Sequence, residues 1–250
     1  MCIRITQKYR ELNLQLQGSD VRSFVITIEG HEKSEKSAER CINSGQRYGL
    51  QIEKWKATTP KDDIVRIAAN LELPIKNFIE PYSRSENCLS AFLSHYSLWQ
   101  ECVKLNETIV IFEHDAIVKD SVNPITTNYP LCLNLGKPSY GKYLIPSRLG
   151  INPLTSKMYF PGAHAYMINP VASKILIGQS IIHAKPTDLF LNKKTFPFLQ
   201  EIYPWTVECD DNFTTIQNTK GCLAKHNYNT NFEISAVLSL IHISEPTRPY

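Results

Sequence analysis

The sequence predicts an α/β fold with a mostly parallel central sheet flanked by helices, and three observations carry that expectation. A β-branched run, a helix-forming segment and a second strand-like run follow one another at the spacing of a βαβ unit. The apolar run TIVIF at 108–112 has the composition of a buried central strand. The stretch 85–105 carries a broad apolar face at helical spacing, long enough to cover one side of a sheet.

The elements follow in order. Residues 22–28, RSFVITI, read as a buried strand that Glu29-Gly30 interrupts. Residues 34–45 form helix-favouring sequence with a glycine stop, and 51–56 form the next strand, closed by Ala57-Thr58-Thr59-Pro60. In a parallel sheet ligands gather at the carboxyl ends of strands, here 28–30 and 57–59. The helix at 85–105 presents Leu89, Phe92, Leu93, Tyr96, Leu98, Trp99 and Val103 and ends at Asn106-Glu107. TIVIF then runs directly into Glu113-His114-Asp115.

Beyond that point the sequence predicts a strand at 131–135 ended by Gly136, and a long functional loop over 137–157. A turn at Pro161-Gly162 leads to a strand at 163–168 and a helix at 170–177 with proline in its first turn. Residues 186–191 read as a short helix and 201–207 as an extended segment. With no internal repeat or linker, one domain is expected over 21–237, after an N-terminal extension at 1–20. The segment LSLIHISEPTR at 238–248 reads as a translated transposase adapter of the kind used in sequencing libraries. Residues 238–250 are therefore expected to be a non-native tail on a metagenomic fragment that lacks its natural C-terminus.

Composition narrows the function classes. Hydrophobic residues make up 42% and charged residues 20%, as in an ordinary globular protein. The net charge, 27 − 24 = +3, is interspersed rather than gathered into a stripe and gives no support for a nucleic-acid partner. The seven cysteines are scattered without a CxxC pair, which excludes a zinc ribbon and points to free thiols in a reducing compartment. No signal-peptide core and no run of membrane-spanning length occurs, so a cytoplasmic location is expected.

Chemistry centres on Glu113-x-Asp115. Residues two apart on an extended chain point the same way, so both carboxylates are expected on one side at the end of a buried strand. Such a pair can hold a divalent ion that bridges a diphosphate. An acidic pair after a strand can equally cap the next helix or sit solvated in a turn.

Five segments in sequence order resemble glycosyltransferase family 25, the lipopolysaccharide-type and collagen-type galactosyltransferases. They are FVITI at 24–28 with Arg40 in the helix that follows, LSHYSLW at 93–99, IVIFEHD at 109–115, GAHAYMI at 162–168 with Pro170 and Ala172, and Pro186-Thr187-Asp188 with Leu191. The resemblance spans about 24–221. It implies a GT-A-type nucleotide-sugar-binding fold, a UDP-sugar donor carrying a hexose such as galactose or glucose, Mn2+ or another divalent cation, and inversion at the anomeric carbon. The acceptor would be a carbohydrate or another hydroxyl-bearing molecule.

Three segments depart from the family pattern. His114 stands where the family has a middle acid, and it should face the opposite side of the strand. Ser90 replaces a glycine, and Glu29-Gly30-His31 replaces Asp-Arg-Arg.

Glu113 and Asp115 are expected at the metal and diphosphate, and Asp188, which the resemblance places in the site region, is the candidate general base. Ile28, Glu29, Arg40, Ala57, Thr58, Ser94, His95 and His114 are the nucleotide-sugar-binding candidates. Each has a plainer alternative. Ser94 and His95 can be hydrogen-bonded core residues, Arg40 a solvated helix residue, and Asp188 an N-cap. Trp99 reads as core packing. A second acidic cluster, Cys209-Asp210-Asp211, reads as a surface turn. Two rival functions remain: a metal-dependent phosphohydrolase or nucleotidyltransferase using the same carboxylates, and a non-catalytic sugar- or partner-binding protein.

Overall fold

A computed structural model describes residues 21–79, 83–139, 141–209 and 215–216. The expected extension at 1–20, the tail at 238–250 and Asp210-Asp211 of the second acidic cluster lie outside the described residues. The strands are β1 (Arg22–Thr27), β2 (Ile52–Lys56), β3 (Ile109–Glu113), β4 (Ala116–Val118), β5 (Cys132–Asn134), β6 (Gly150–Pro153), β7 (Ala165–Ile168), β8 (Leu199–Tyr203) and β9 (Val207–Cys209). The helices are α1 (Glu32–Gln46), α2 (Ile64–Asn70), α3 (Ser85–Leu105), α4 (Pro170–His183) and α5 (Thr187–Phe190), with a 3-10 turn at Ile75–Phe78.

Among the described residues, seven strands form one sheet in the order β2-β1-β3-β7-β5-β8-β6, and β4 pairs with β9 in a separate ribbon. The expectation of a mostly parallel sheet is corrected to a mixed one. β1 is parallel to β2 and β3, and β5 is parallel to β8. β7 is antiparallel to both β3 and β5, and β6 is antiparallel to β8. The βαβ argument holds where a crossover helix joins neighbouring strands, as α1 joins β1 to β2. No such helix precedes β7, and it enters between β3 and β5 in the reverse direction.

Strand alternation explains the two-sided core. Phe24, Ile26, Ile109, Ile111, Tyr166 and Ile168 pack on one face with Phe92, Leu93 and Trp99 of α3. Val25, Val110, Phe112, Ala165 and Met167 pack on the other with Ala38 and Cys41 of α1. Trp99 is fully buried, as a core reading requires, and meets Phe92 and Phe190 at ring-centroid distances of 5.5 and 5.6 Å.

Element boundaries follow capping chemistry. α1 begins two residues before its expected start, because the His31 ring accepts the Ser34 amide at 3.2 Å and closes the first turn. α3 ends at Asn106, which takes the left-handed conformation (φ 54°). α4 starts at Pro170 under an Asn169 cap and runs past residue 177 to His183, with Gly178 inside it. The stretch expected as loop at 137–157 contains the edge strand β6. The extended segment expected at 201–207 is divided between β8 and the start of β9.

Candidate active site

The sheet brings five chain ends to one edge. β1, β2, β3 and β5 run in the same direction, so Ile28, Ala57, His114 and Leu135 follow their carboxyl ends there. β7 runs the other way and delivers its start, where the His164 carbonyl accepts the Glu113 amide at 2.9 Å.

Glu113 is the last residue of β3 and shares the face of Ile109 and Ile111, which is covered by α3. His95 Nε2 lies 3.2 Å from Glu113 Oε1. The Tyr166 hydroxyl lies 2.9 Å from His95 Nδ1 and accepts the Trp99 indole N–H at 2.8 Å. Burial pushes His95 down to about 3, against the opposing charge of Asp188. The ring is neutral at physiological pH, so its contact with Glu113 is a neutral-donor hydrogen bond rather than an ion pair.

His114, in the turn after β3, faces away from α3, on the side the sequence suggested. Its Nδ1 sits 3.1 Å from Ser34 Oγ of α1, and that oxygen also accepts the Ile28 amide at 3.0 Å. Burial first, then the charges of His31 and Arg40, lower His114 to about 4. The strand stops at Glu113 and residues 114–115 form a turn. Asp115 is therefore set by that turn and not by the two-residue alternation that the sequence suggested. Its charge is felt by Cys41 of α1, whose thiol burial raises to about 12. The two carboxylates thus lie between the two covering layers, Glu113 held from α3 and Asp115 within electrostatic reach of α1.

Glu29 lies in the turn after β1 and makes an exposed ion pair with Lys56 at 2.9 Å. Arg40 donates to Ser37 at 3.4 Å, and with Lys36, Glu39, Asn43, Ser44, Arg47 and Ile117 it lines an open groove of about 450 Å³. That groove includes none of Glu113, Asp115, His95 or Asp188.

Ala57 follows β2, and its amide donates to the Thr27 carbonyl at 2.9 Å. Thr58 donates its amide to Ser94 Oγ at 2.9 Å, so a buried hydroxyl of α3 fastens the strand end. Ser90 turns its hydroxyl back to the Glu86 carbonyl at 2.8 Å.

Asp188 is the second residue of α5, and Pro186 occupies the cap position without a side-chain cap bond. The Asp188 carboxylate accepts the Leu189 amide at 2.9 Å. Its charge acts on His95 and Lys185, which places it within electrostatic range of the Glu113–His95 pair.

Among the described residues, no three His, Cys, Asp or Glu side chains gather to hold a metal ion on their own. The candidate donors the sequence offers are Glu113 and Asp115, two hard oxygen ligands. That suits a hard divalent cation completed by substrate phosphates, which needs only one or two protein carboxylates.

Sequence reasoning assigned Tyr166 no role and left Trp99 as packing. The available signal was a tyrosine inside an otherwise apolar strand, since a buried phenol must find a hydrogen-bond partner. It also read Gly136 only as a strand stop, whereas an added Cβ there would lie 2.4 Å from His164 Nε2.

Residues 24–135 match a protein-family model described as glycosyltransferase family 25 (LPS biosynthesis protein). The match runs from β1 to the residue after β5 and includes Arg40, Ser94, His95, Glu113, His114 and Asp115. Tyr166 and Asp188 lie beyond it. It implies an enzyme that transfers a sugar. No curated protein matches the chain. No helix among the described residues is long and apolar enough to cross a membrane.

Proposed function

We propose that this chain, matched over residues 24–135 to glycosyltransferase family 25, transfers a hexose from a UDP-sugar to an acceptor hydroxyl, with metal dependence and inversion of the anomeric carbon. The observation that carries the reading is the place of Glu113. It ends the central strand beside the ends of β1 and β2, and a buried histidine holds its carboxylate. The edge it occupies is where an α/β sheet receives a nucleotide.

In this reading Glu113 and Asp115 would hold Mn2+ or a similar ion together with the donor diphosphate. Bound there, the ion would stabilise the charge that develops on the departing UDP. Ile28, Glu29, Ala57 and Thr58 line the nucleotide side, with Ser94 fastening Thr58. His114 and Arg40 stand on the α1 side. His95 is reassigned from the sugar to support of Glu113, since it is buried at 1% exposure.

Asp188 takes the proton of the acceptor hydroxyl as its oxygen attacks the anomeric carbon. The bond from that carbon to the β-phosphate oxygen breaks, and UDP leaves. An acceptor bearing a free hydroxyl, such as a lipopolysaccharide sugar, fits the family description, and a cytoplasmic location goes with the reading.

The test is UDP release from UDP-hexoses with Mn2+, in the presence and absence of pooled carbohydrate acceptors. Release that needs acceptor and yields a glycosylated product supports transfer. Equal release without acceptor would assign the carboxylates to hydrolysis.

A further inference from the structure

The Trp99–Tyr166–His95–Glu113 contacts define a one-way hydrogen-bond chain. An indole nitrogen can only donate, so the phenol oxygen accepts from Trp99 at 2.8 Å and turns its own proton toward His95 Nδ1 at 2.9 Å. Nδ1 is then an acceptor, which leaves the ring proton on Nε2 to donate to Glu113 Oε1 at 3.2 Å. Trp99 and Tyr166 are fully buried and His95 is 1% exposed, so water does not compete for these groups. The Tyr166 and His95 rings also stack at 5.7 Å with an interplanar angle of 20°, which limits rotation of the imidazole.

We infer that His95 is a positioning residue whose tautomer is set by Tyr166 and Trp99, and that its Nε2–H fixes the Glu113 carboxylate for the metal–diphosphate group. The inference rests on the proposed role of Glu113 in holding that group. Hydrogen bonds behind a metal-holding carboxylate orient it, and losing one lowers metal affinity by about 10- to 100-fold. Trp99 stacks on Phe190 of α5, two residues after Asp188, so the same aromatic cluster supports both sides of the site.

The test compares His95→Gln with His95→Asn. A glutamine amide nitrogen reaches the place of Nε2, and an asparagine amide nitrogen reaches only that of Nδ1. Mn2+ affinity is measured by electron paramagnetic resonance of the free ion with UDP present, and thermal melting is followed in parallel. Glu113→Gln is the control for the underlying reading. The expected result is that Glu113→Gln and His95→Asn weaken Mn2+ binding by about tenfold or more, while His95→Gln stays within about threefold of the parent. Equal losses in both His95 variants, or no loss in either, with Glu113→Gln still weakened, would overturn the positioning role alone. Unchanged binding in Glu113→Gln would overturn the reading of Glu113 and the inference with it. Tyr166→Phe removes only the hydroxyl and serves if the His95 variants do not fold. It should weaken Mn2+ binding in the same direction, and parent-like affinity would overturn the inference.

Discussion

Ser94 Oγ accepts the Thr58 amide at 2.9 Å and donates to the Ser90 carbonyl of its own helix at 2.9 Å. One hydroxyl therefore ties the end of β2 to α3. Ser94→Ala removes the acceptor and leaves the half-buried Thr58 N–H without it, at a cost of about 1 kcal/mol. Because Thr58 belongs to the proposed nucleotide side, KM for the UDP-sugar should rise by more than kcat falls. Steady-state kinetics with thermal melting checks this, and a change confined to kcat would count against the assignment.

Gly136 follows β5 where the buried His164 ring passes. A Cβ there would meet three ring atoms at 2.4, 2.8 and 2.9 Å, and the ring is 3% exposed. Gly136→Ala should cost about 1–3 kcal/mol through overpacking. At this chain length that lowers the melting midpoint by about 2–4 °C per kcal/mol. A midpoint equal to the parent's would show that His164 can move.

Asp188 sits inside the first turn of α5 and not at its cap, so the plain capping role the sequence allowed is not the one the structure shows. Asp188→Asn keeps an oxygen acceptor for the Leu189 amide and removes the proposed base. Turnover should fall by about 100-fold or more with melting temperature and UDP binding unchanged. Turnover within about threefold of the parent would remove Asp188 from the chemistry.

Lys157 is 4% exposed, and burial lowers its amine from the usual 10.5 to about 8. A folded value below the unfolded one means the penalty is complete below pH 8 and fades as pH rises toward 10.5. Lys157→Met should therefore raise stability by about 1–3 kcal/mol at neutral pH, less the lost contact with the Tyr159 ring. The gain should shrink through the alkaline window. Denaturant unfolding at several pH values checks it, and a gain independent of pH would contradict burial of the charged amine as its cause.

Where Glu113 sits in the fold was legible because its position depends on local rules. The IVIFE run declares a buried strand, and alternation along it sends Glu113 to the face covered by α3. The order strand–helix–strand around α1 implied the parallel β1–β2 pair. The limits were equally physical. Alternation says which face a residue takes but not which strand lies beside it, so the antiparallel entry of β7 was invisible. Alternation also ends with the strand, so it could not place Asp115 in the turn. The pairing of His95 with Tyr166 joins residues 71 apart, a partnership that spacing does not encode.

The central claim is that Glu113 and Asp115 join a divalent cation and a UDP-sugar at the end of β3. Calorimetric titration of UDP, with and without Mn2+, against the parent and Asp115→Ala tests it most directly. The account predicts that Mn2+ tightens UDP binding to the parent by about tenfold or more, and that Asp115→Ala loses this gain while melting as the parent does. UDP affinity indifferent to Mn2+ in the parent, or an undiminished Mn2+ gain in Asp115→Ala, would contradict it.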